Sequence, residues 1–128
     1  GFYVAYQSIA DTAKDYITNI LKTHPNASML TTGHSLGGAI SAICAISSKV
    51  AFPQLSVNIH NFGQPRIGNE ELSVFMTAQL SSIFRVVHNR DIVPHLPPDL
   101  PEIYYHHSPH EVFFNEDMTV FKVCDDSG

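Results

Sequence analysis

Apolar residues near the start of the chain recur at the spacing of one helix face. Over residues 2–23 these positions are Ile9, Ala13, Ile17, Ile20 and Leu21. That spacing predicts an amphipathic helix. The helix is expected to end at His24, because Pro25 disfavours the helical conformation in the residue before it. Residues 28–32 then predict a short strand that runs directly into a glycine-rich turn.

Two further pairs of helix and strand follow in the pattern. Residues 39–51 are apolar almost all round, which is typical of a buried helix. Residues 55–62 alternate around Val57 and Ile59 and predict a strand. Asn69 can cap a helix that runs to about Leu80, with acidic residues in its first turn. Residues 83–88 predict a third strand.

The rest of the chain gives a weaker pattern. A proline-rich loop is predicted over residues 89–101, and residues 111–114 and 119–123 are candidates for a hairpin. Strands that alternate with helices indicate a parallel sheet covered by helices. The predicted fold class is therefore α/β, with a mostly parallel sheet flanked by helices, and residues 1–128 are expected to form a single domain.

Composition and charge exclude several classes of function. Apolar residues make up 44% of the chain and charged residues 15%, which is typical of a globular protein. Twelve acidic residues against seven basic ones give a net charge of −5 without a basic stripe. Nucleic-acid binding and adsorption to anionic membranes therefore have no electrostatic support. No apolar run approaches the roughly 20 residues that span a bilayer.

The glycine-rich turn carries the candidate chemistry. Gly33-x-Ser35-x-Gly37 lies between a predicted strand and a predicted helix, and Gly38 follows. A strand that turns sharply into a helix needs small neighbours and lifts the central hydroxyl above the sheet. The N–H of Leu36 can then donate to an oxyanion at the positive end of the helix dipole. The alternative is an ordinary glycine-rich turn with no catalytic role.

A serine hydroxyl needs a base and an acid that orients the base. When the serine lies on such a strand-to-helix turn, its partners are expected later in the chain in the order acid, then histidine, with the acid on a loop after a later strand. Asp91 stands at that place, after the strand predicted at residues 83–88. The competing interpretation of Asp91 is a simple turn residue.

Four segments together resemble the class 3 lipases, the family of the filamentous-fungus triacylglycerol lipases. The segments are Gly1-Phe2 through Ala5-Tyr6, Gly33-His34-Ser35-Leu36-Gly37-Gly38-Ala39, Phe62-Gly63-Gln64-Pro65-Arg66-Ile67-Gly68-Asn69, and Arg85-Val86-Val87-His88-Asn89-Arg90-Asp91-Ile92-Val93-Pro94-His95-Leu96-Pro97-Pro98. The second resembles the family's nucleophile elbow (residues 33–38 here), and the fourth its acid loop (residues 89–98 here).

The resemblance implies a partial α/β-hydrolase core that hydrolyses carboxylic esters, typically acylglycerols at a lipid–water interface. It implies Ser35 as the nucleophile, Asp91 as the triad acid and the Leu36 N–H as one oxyanion donor. His34 is expected to pack under the elbow rather than act as the base. Hydrolysis would proceed through an acyl-enzyme without a metal or organic cofactor. Since the family's lid and second oxyanion donor have no counterpart in this sequence, the chain is expected to be a piece of a longer one.

The sequence does not identify the catalytic histidine. The local candidates are His95, His106, His107 and His110, but the last three lie in a segment that resembles a non-catalytic stretch of the family. The base is therefore expected beyond Gly128. The same cluster does not match a recognised zinc spacing, and exposed loop histidines are the competing interpretation.

Alternatives from other functional classes stay open at this point. A hydrolase-like binding module that lacks a base fits the missing histidine. An acyltransferase or peptidase would use the same triad, and only the resemblance favours esters. The sequon Asn26-Ala27-Ser28 fits a secreted protein. The cysteines, Cys44 in an apolar helix and Cys124 near the end, leave the redox compartment open, since they could pair with each other or with residues elsewhere.

Overall fold

The computed structural model describes residues 1–98, 100–101 and 104–125. The elements in chain order are α1 (Phe2–Thr23), β1 (Ser28–His34), α2 (Leu36–Ala51), β2 (Ser56–Phe62), α3 (Glu70–Gln79), β3 (Ser82–His88), a 3-10 turn (Val93–His95), β4 (Glu111–Phe114) and β5 (Phe121–Cys124). The predicted helices and strands are therefore confirmed, with bounds that differ by a few residues. Asp99, in the predicted proline-rich loop, lies outside the described residues.

The five strands form one sheet in the order β1-β2-β3-β4-β5. The first four are parallel, and β5 returns antiparallel to β4, as the hairpin pattern predicted. In the register, His34 at the end of β1 lies beside Phe62, and Phe62 lies beside Val86. The carboxyl ends of the first three strands therefore meet at one edge of the sheet, where parallel α/β sheets hold their ligands.

The helices pack on one face of the sheet. Small residues of α2, Ala42 and Ala45, contact Val57 and Ile59 of β2 in a core that also includes Met76 of α3. On the other face of the sheet, within the described residues, large apolar side chains are exposed. They include Leu30, Phe62 and Phe84. The helices of the described chain therefore cover one face of the sheet, not both.

The largest difference from the predicted bounds lies at the glycine-rich turn. β1 continues to His34 and α2 begins at Leu36, so Ser35 alone separates the strand from the helix. The pattern predicted a longer turn, because glycines favour turns locally. Here the tight approach of strand and helix, rather than loop flexibility, is what requires the glycines.

The predicted cap of α3 at Asn69 is confirmed. The Oδ1 atom of Asn69 caps α3 by accepting from the Leu72 N–H at 3.1 Å. Among the described residues, no helix is both long and apolar enough to cross a bilayer. Cys44 and Cys124 are both free thiols and both half-buried, and burial raises the pKa of the Cys44 thiol.

Candidate active site

The elbow holds Ser35 in a backbone conformation that few side chains adopt. Its φ is 54° and its ψ is −123°, outside the regions favoured by residues with a Cβ. The Ser35 N–H donates to the Phe62 carbonyl of β2 at 3.0 Å, which fixes the strained residue against the sheet edge. The Ser35 side chain is half-buried, so the residue is not enclosed in packed side chains. This is the geometry that the sequence motif predicted.

Gly33 permits the sharp turn because β1 and α2 come into contact there. A Cβ on Gly33 would collide with the carbonyl group of Gly37 in the first turn of α2. The Cβ position is fixed by the backbone of Gly33, and the carbonyl is itself backbone, so neither can move without opening the turn. A Cβ on Gly37, in contrast, would meet no heavy atom within 4 Å.

These two glycines give a matched pair of substitutions. Gly33→Ala is expected to lower the free energy of unfolding by about 3 kcal/mol, the upper part of the range for overpacking, because backbone atoms cannot yield. Gly37→Ala is expected to leave stability unchanged or raise it by up to about 1 kcal/mol, since alanine favours helices. Urea unfolding of both variants measures the difference. Equal stability would contradict the close contact between β1 and α2.

The helix after Ser35 directs backbone donors towards the elbow. Leu36 is the first residue of α2, and the first N–H groups of a helix have no acceptor within it. The Gly38 N–H donates to the Ser35 carbonyl at 3.0 Å, which ties the first helical turn to the elbow. The Leu36 N–H therefore lies at the positive end of the helix dipole, in the residue that follows Ser35.

Asp91 lies on the acid loop next to the elbow. Its Oδ1 accepts from the Val93 N–H at 3.0 Å, and its Oδ2 faces Gly63, 2.8 Å from where a Cβ on that glycine would stand. The His34 imidazole lies within 4 Å of the same point. Gly63, at a φ of 54°, thus leaves room for the carboxylate beside the end of β2. The structure brings Ser35, Leu36 and Asp91 to one edge of the sheet.

The acid loop is held in place by Arg66, for which the sequence predicted no separate role. Nη1 of Arg66 donates to the His95 carbonyl at 2.8 Å and to the Pro97 carbonyl at 3.0 Å. The Arg66 N–H donates to the Leu96 carbonyl at 2.8 Å. Arg66 comes from the Gly-Gln-Pro-Arg turn after β2, so this turn holds the loop that carries Asp91.

His107 also supports the acid loop, through a hydrogen bond to its backbone. It is 3% exposed, and its Nε2 lies 2.6 Å from the Pro94 carbonyl. A carbonyl only accepts, so Nε2 carries the proton and Nδ1 does not. Among the described residues, Nδ1 is buried without a hydrogen-bond partner. Burial, together with the nearby Arg85 guanidinium, lowers the pKa of His107 from 6.5 to about 3.

The lowered pKa of His107 predicts a dependence of stability on pH. The folded state holds the ring neutral down to about pH 3, whereas the unfolded chain takes up a proton below about pH 6.5. The contribution of the neutral ring to the free energy of unfolding is therefore present in full above pH 6.5. It falls as the pH drops towards 3, by at most about 1.4 kcal/mol per pH unit. Chemical denaturation from pH 7.5 to 4 measures this slope.

The control for that slope is His107→Gln, whose amide can still donate to Pro94 but does not titrate. The difference between the two slopes removes the contribution of the carboxylates, which titrate in both proteins. Parallel slopes for the wild type and His107→Gln would contradict the buried neutral state.

The other candidate histidines occupy separate positions. His95 is exposed at the end of the 3-10 turn. The backbone of His106 bridges to Gly68. His110 packs its ring against Phe84 on the exposed face of the sheet. Within the described residues, no group of three histidine, cysteine or carboxylate side chains is arranged to hold a metal ion.

A family model supplies the identification. The model described as lipase (class 3) matches residues 1–100. The chain belongs to the class 3 lipase family. The resemblance carried by the elbow, the Gly-Gln-Pro-Arg turn and the acid loop is thereby confirmed, and so is the predicted α/β-hydrolase fold.

Named relatives agree with the family model. The secreted mono- and diacylglycerol lipase 1 of Fusarium solani is 34% identical over 98% of this class 3 lipase chain and 38% of its own length. The triacylglycerol lipase OBL1 of Arabidopsis thaliana is 38% identical over 78% of this chain and 22% of its own length.

A solved structure matches the whole fold. Lipase II from Rhizopus niveus superposes with a TM-score of 0.90 and 28% identity, over 99% of this chain and 48% of that one. The chain thus spans less than half the length of each of these three relatives.

Proposed function

We propose that the class 3 lipase to which this chain belongs is a serine hydrolase that cleaves carboxylic esters of acylglycerols. The observation that carries the proposal is Ser35, alone between β1 and α2 at a φ of 54°, with the Asp91 carboxylate on the neighbouring loop. Strain of this kind at a hydroxyl residue is typical of a nucleophile held ready for attack. The family relatives named as acylglycerol lipases support the choice of ester.

The proposed chemistry has two steps. The Ser35 hydroxyl attacks the ester carbonyl carbon while a histidine base takes its proton. The Leu36 N–H, at the start of α2, donates to the oxyanion. The imidazolium then gives the proton to the departing alcohol, which leaves an acyl-enzyme on Ser35. The same base then takes a proton from water, which attacks the acyl carbonyl. The bond to Ser35 breaks, the fatty acid leaves and the imidazolium returns the proton to the Ser35 oxygen, while Asp91 orients the imidazole throughout.

We place the base outside residues 1–128. Two of the described candidates support this. His107 is buried with a lowered pKa, and its Nε2 is bonded to Pro94. His110 lies against Phe84 rather than at the elbow. The same observations motivate the second candidate function, a binding module with the hydrolase core but no base.

One experiment separates these two functions. Full-length protein is supplied with an emulsified triacylglycerol, a soluble short-chain ester and the matching amide. The proposal predicts release of fatty acid from the esters and slower or no cleavage of the amide. A protein that binds the emulsion but releases no acid from any substrate is the binding module.

Apolar side chains around the site support action at a lipid–water interface. Leu36 is 52% exposed, Ile92 64% and Leu96 45%. They flank Ser35 and Asp91, so an acyl chain that leaves a lipid surface would meet apolar contacts at the site. Contacts of this kind favour binding in proportion to the apolar area that they remove from water.

We also propose that the enzyme is secreted, and Asn26 provides a test. Asn26 is exposed in the turn between α1 and β1, and Ser28 of the sequon is exposed at the start of β1. Passage through a eukaryotic secretory pathway is expected to attach a glycan to Asn26, seen as a mass loss after peptide N-glycosidase treatment. Asn26→Gln should remove the glycan, and Ser28→Thr should keep it. Secreted protein with an unmodified Asn26 would contradict this prediction.

A further inference from the structure

A buried carboxamide lies beneath the first turns of α2. Asn61 of β2 has no exposed surface, and it shares the buried face of its strand with Val57 and Ile59. Its Nδ2 donates to the Gly38 carbonyl at 2.8 Å and to Oε1 of Gln64 at 2.7 Å. Its Oδ1 accepts from the Ser41 hydroxyl at 2.6 Å. Both amide hydrogens and the amide oxygen of Asn61 are therefore hydrogen-bonded, each to a different residue.

The partners of Asn61 belong to different parts of the active-site edge. Gly38 and Ser41 are in the first turns of α2, and Gln64 is in the turn after β2. Gln64 is 3% exposed. It also packs on Gly38, because a Cβ added to Gly38 would lie 3.2 Å from the Cβ of Gln64. The carboxamide thus joins the helix that follows Ser35 to the turn that holds the acid loop through Arg66.

This network connects directly with the elbow. The N–H of Gly38 donates to the Ser35 carbonyl, while the carbonyl of Gly38 accepts from Asn61. A shift of Gly38 would therefore move both the Ser35 backbone and the Leu36 N–H. An apolar side chain would fill the same site without the cost of burying an amide. A fully bonded buried amide instead selects one arrangement of its neighbours.

We propose that Asn61 is a positioning residue that holds the first turn of α2, and with it Ser35 and the Leu36 N–H, in register with the acid loop. The inference rests on the proposed function of Ser35 and adds a residue that acts on the reaction only through Gly38, Ser41 and Gln64. Misplacement of catalytic groups by about 1 Å can cost about 100-fold in rate.

The first test is Asn61→Leu in the full-length enzyme, with soluble ester as substrate. Leucine keeps the branched shape, with somewhat bulkier methyl groups, but makes none of the three hydrogen bonds. We expect kcat per folded molecule to fall by about 10- to 100-fold while KM changes by less than about threefold, since the groups affected act in the transition state. The rate at which an organophosphonate labels Ser35 should fall in parallel. Asn58→Leu, on the same strand but bonded to Ser82 and the Met29 carbonyl, is the matched control with unchanged kcat.

A second substitution keeps the test valid if Asn61→Leu does not fold. Ser41→Ala removes the hydroxyl that donates to Oδ1 of Asn61 at 2.6 Å and that also lies 3.1 Å from the Gly38 carbonyl. A fall of about 3- to 10-fold in kcat is expected, for a partial loss of positioning. Ser48→Ala, another buried serine on α2, is its control. Ser41→Ala and Asn61→Leu combined should lower kcat no further than Asn61→Leu alone, because they act through one network.

The outcomes separate this inference from the proposed function. A wild type that hydrolyses ester, with Asn61→Leu and Ser41→Ala variants that keep full kcat and labelling rate but melt at lower temperature, would give the network a structural role only and overturn the inference. A wild type that neither turns over ester nor reacts at Ser35 would instead overturn the proposed function.

Discussion

Replacing Ser35 with alanine is expected to lower kcat for ester hydrolysis by four to six orders of magnitude, to the rate left by binding and oxyanion donors alone (about 10⁶-fold for a comparable nucleophile). The reason is chemical, because alanine cannot form the acyl-enzyme. The measurement is fatty-acid release from a soluble ester by full-length Ser35→Ala, followed for long enough to detect a small residual rate.

Stability provides the control for this prediction. Alanine has the same Cβ as serine, so the strained φ of 54° at this position is unaffected. The midpoint of urea unfolding should therefore stay within error of the wild type. Turnover that is undiminished in a folded Ser35→Ala variant would rule out Ser35 as the nucleophile.

Asp91→Asn is expected to lower kcat by about 10⁴-fold, as the loss of the triad acid does in serine hydrolases of this type. The amide oxygen can still accept from the Val93 N–H, so the acid loop should keep its fold. The imidazole of the base, however, loses the carboxylate that sets its tautomer and stabilises its charge. Steady-state kinetics on the soluble ester measures the effect.

Asp15→Asn is the matched control for Asp91→Asn, because Asp15 is an exposed carboxylate on α1 away from the sheet edge. It should leave kcat unchanged. If Asp91→Asn instead lowered kcat by less than about tenfold, the residue would be a simple turn acid, as its local sequence alone allowed.

The elbow could be predicted from the sequence because its requirements are local. Gly33 and Ser35 lie at fixed spacing, and the apolar periods on either side indicate a strand and a helix. The order of elements then places Asp91 at the same edge, since the carboxyl ends of parallel strands meet there. The structure confirmed the fold and these positions; the catalytic roles remain proposals.

Which faces of the sheet the helices cover was harder to predict from the sequence, although the pattern of polar and apolar residues in β2 indicated it. Polar Asn58 and His60 alternate with apolar Val57 and Ile59, a pattern typical of a strand that is buried on one face. The alternation of strands and helices instead indicated a sheet covered by helices. The same period of two places Asn61 on the buried face, so its buried amide could have been noticed.

Contacts between distant segments could not be predicted from the sequence. Arg66 bonds the carbonyl of Pro97, which lies 31 residues after it, and His107 bonds the carbonyl of Pro94, which lies 13 residues before it. Such pairings depend on where two loops meet in space, and no local pattern encodes that distance. His107 was considered as a base for its residue type, whereas burial assigns it a supporting position.

Covalent labelling by an organophosphonate shows directly whether Ser35 is the nucleophile. Full-length enzyme is reacted with the reagent, digested and analysed by mass spectrometry. We expect one adduct, on the peptide that contains Ser35, with loss of ester turnover in proportion to labelling. An adduct on a different serine, or full turnover with Ser35 labelled, would contradict it.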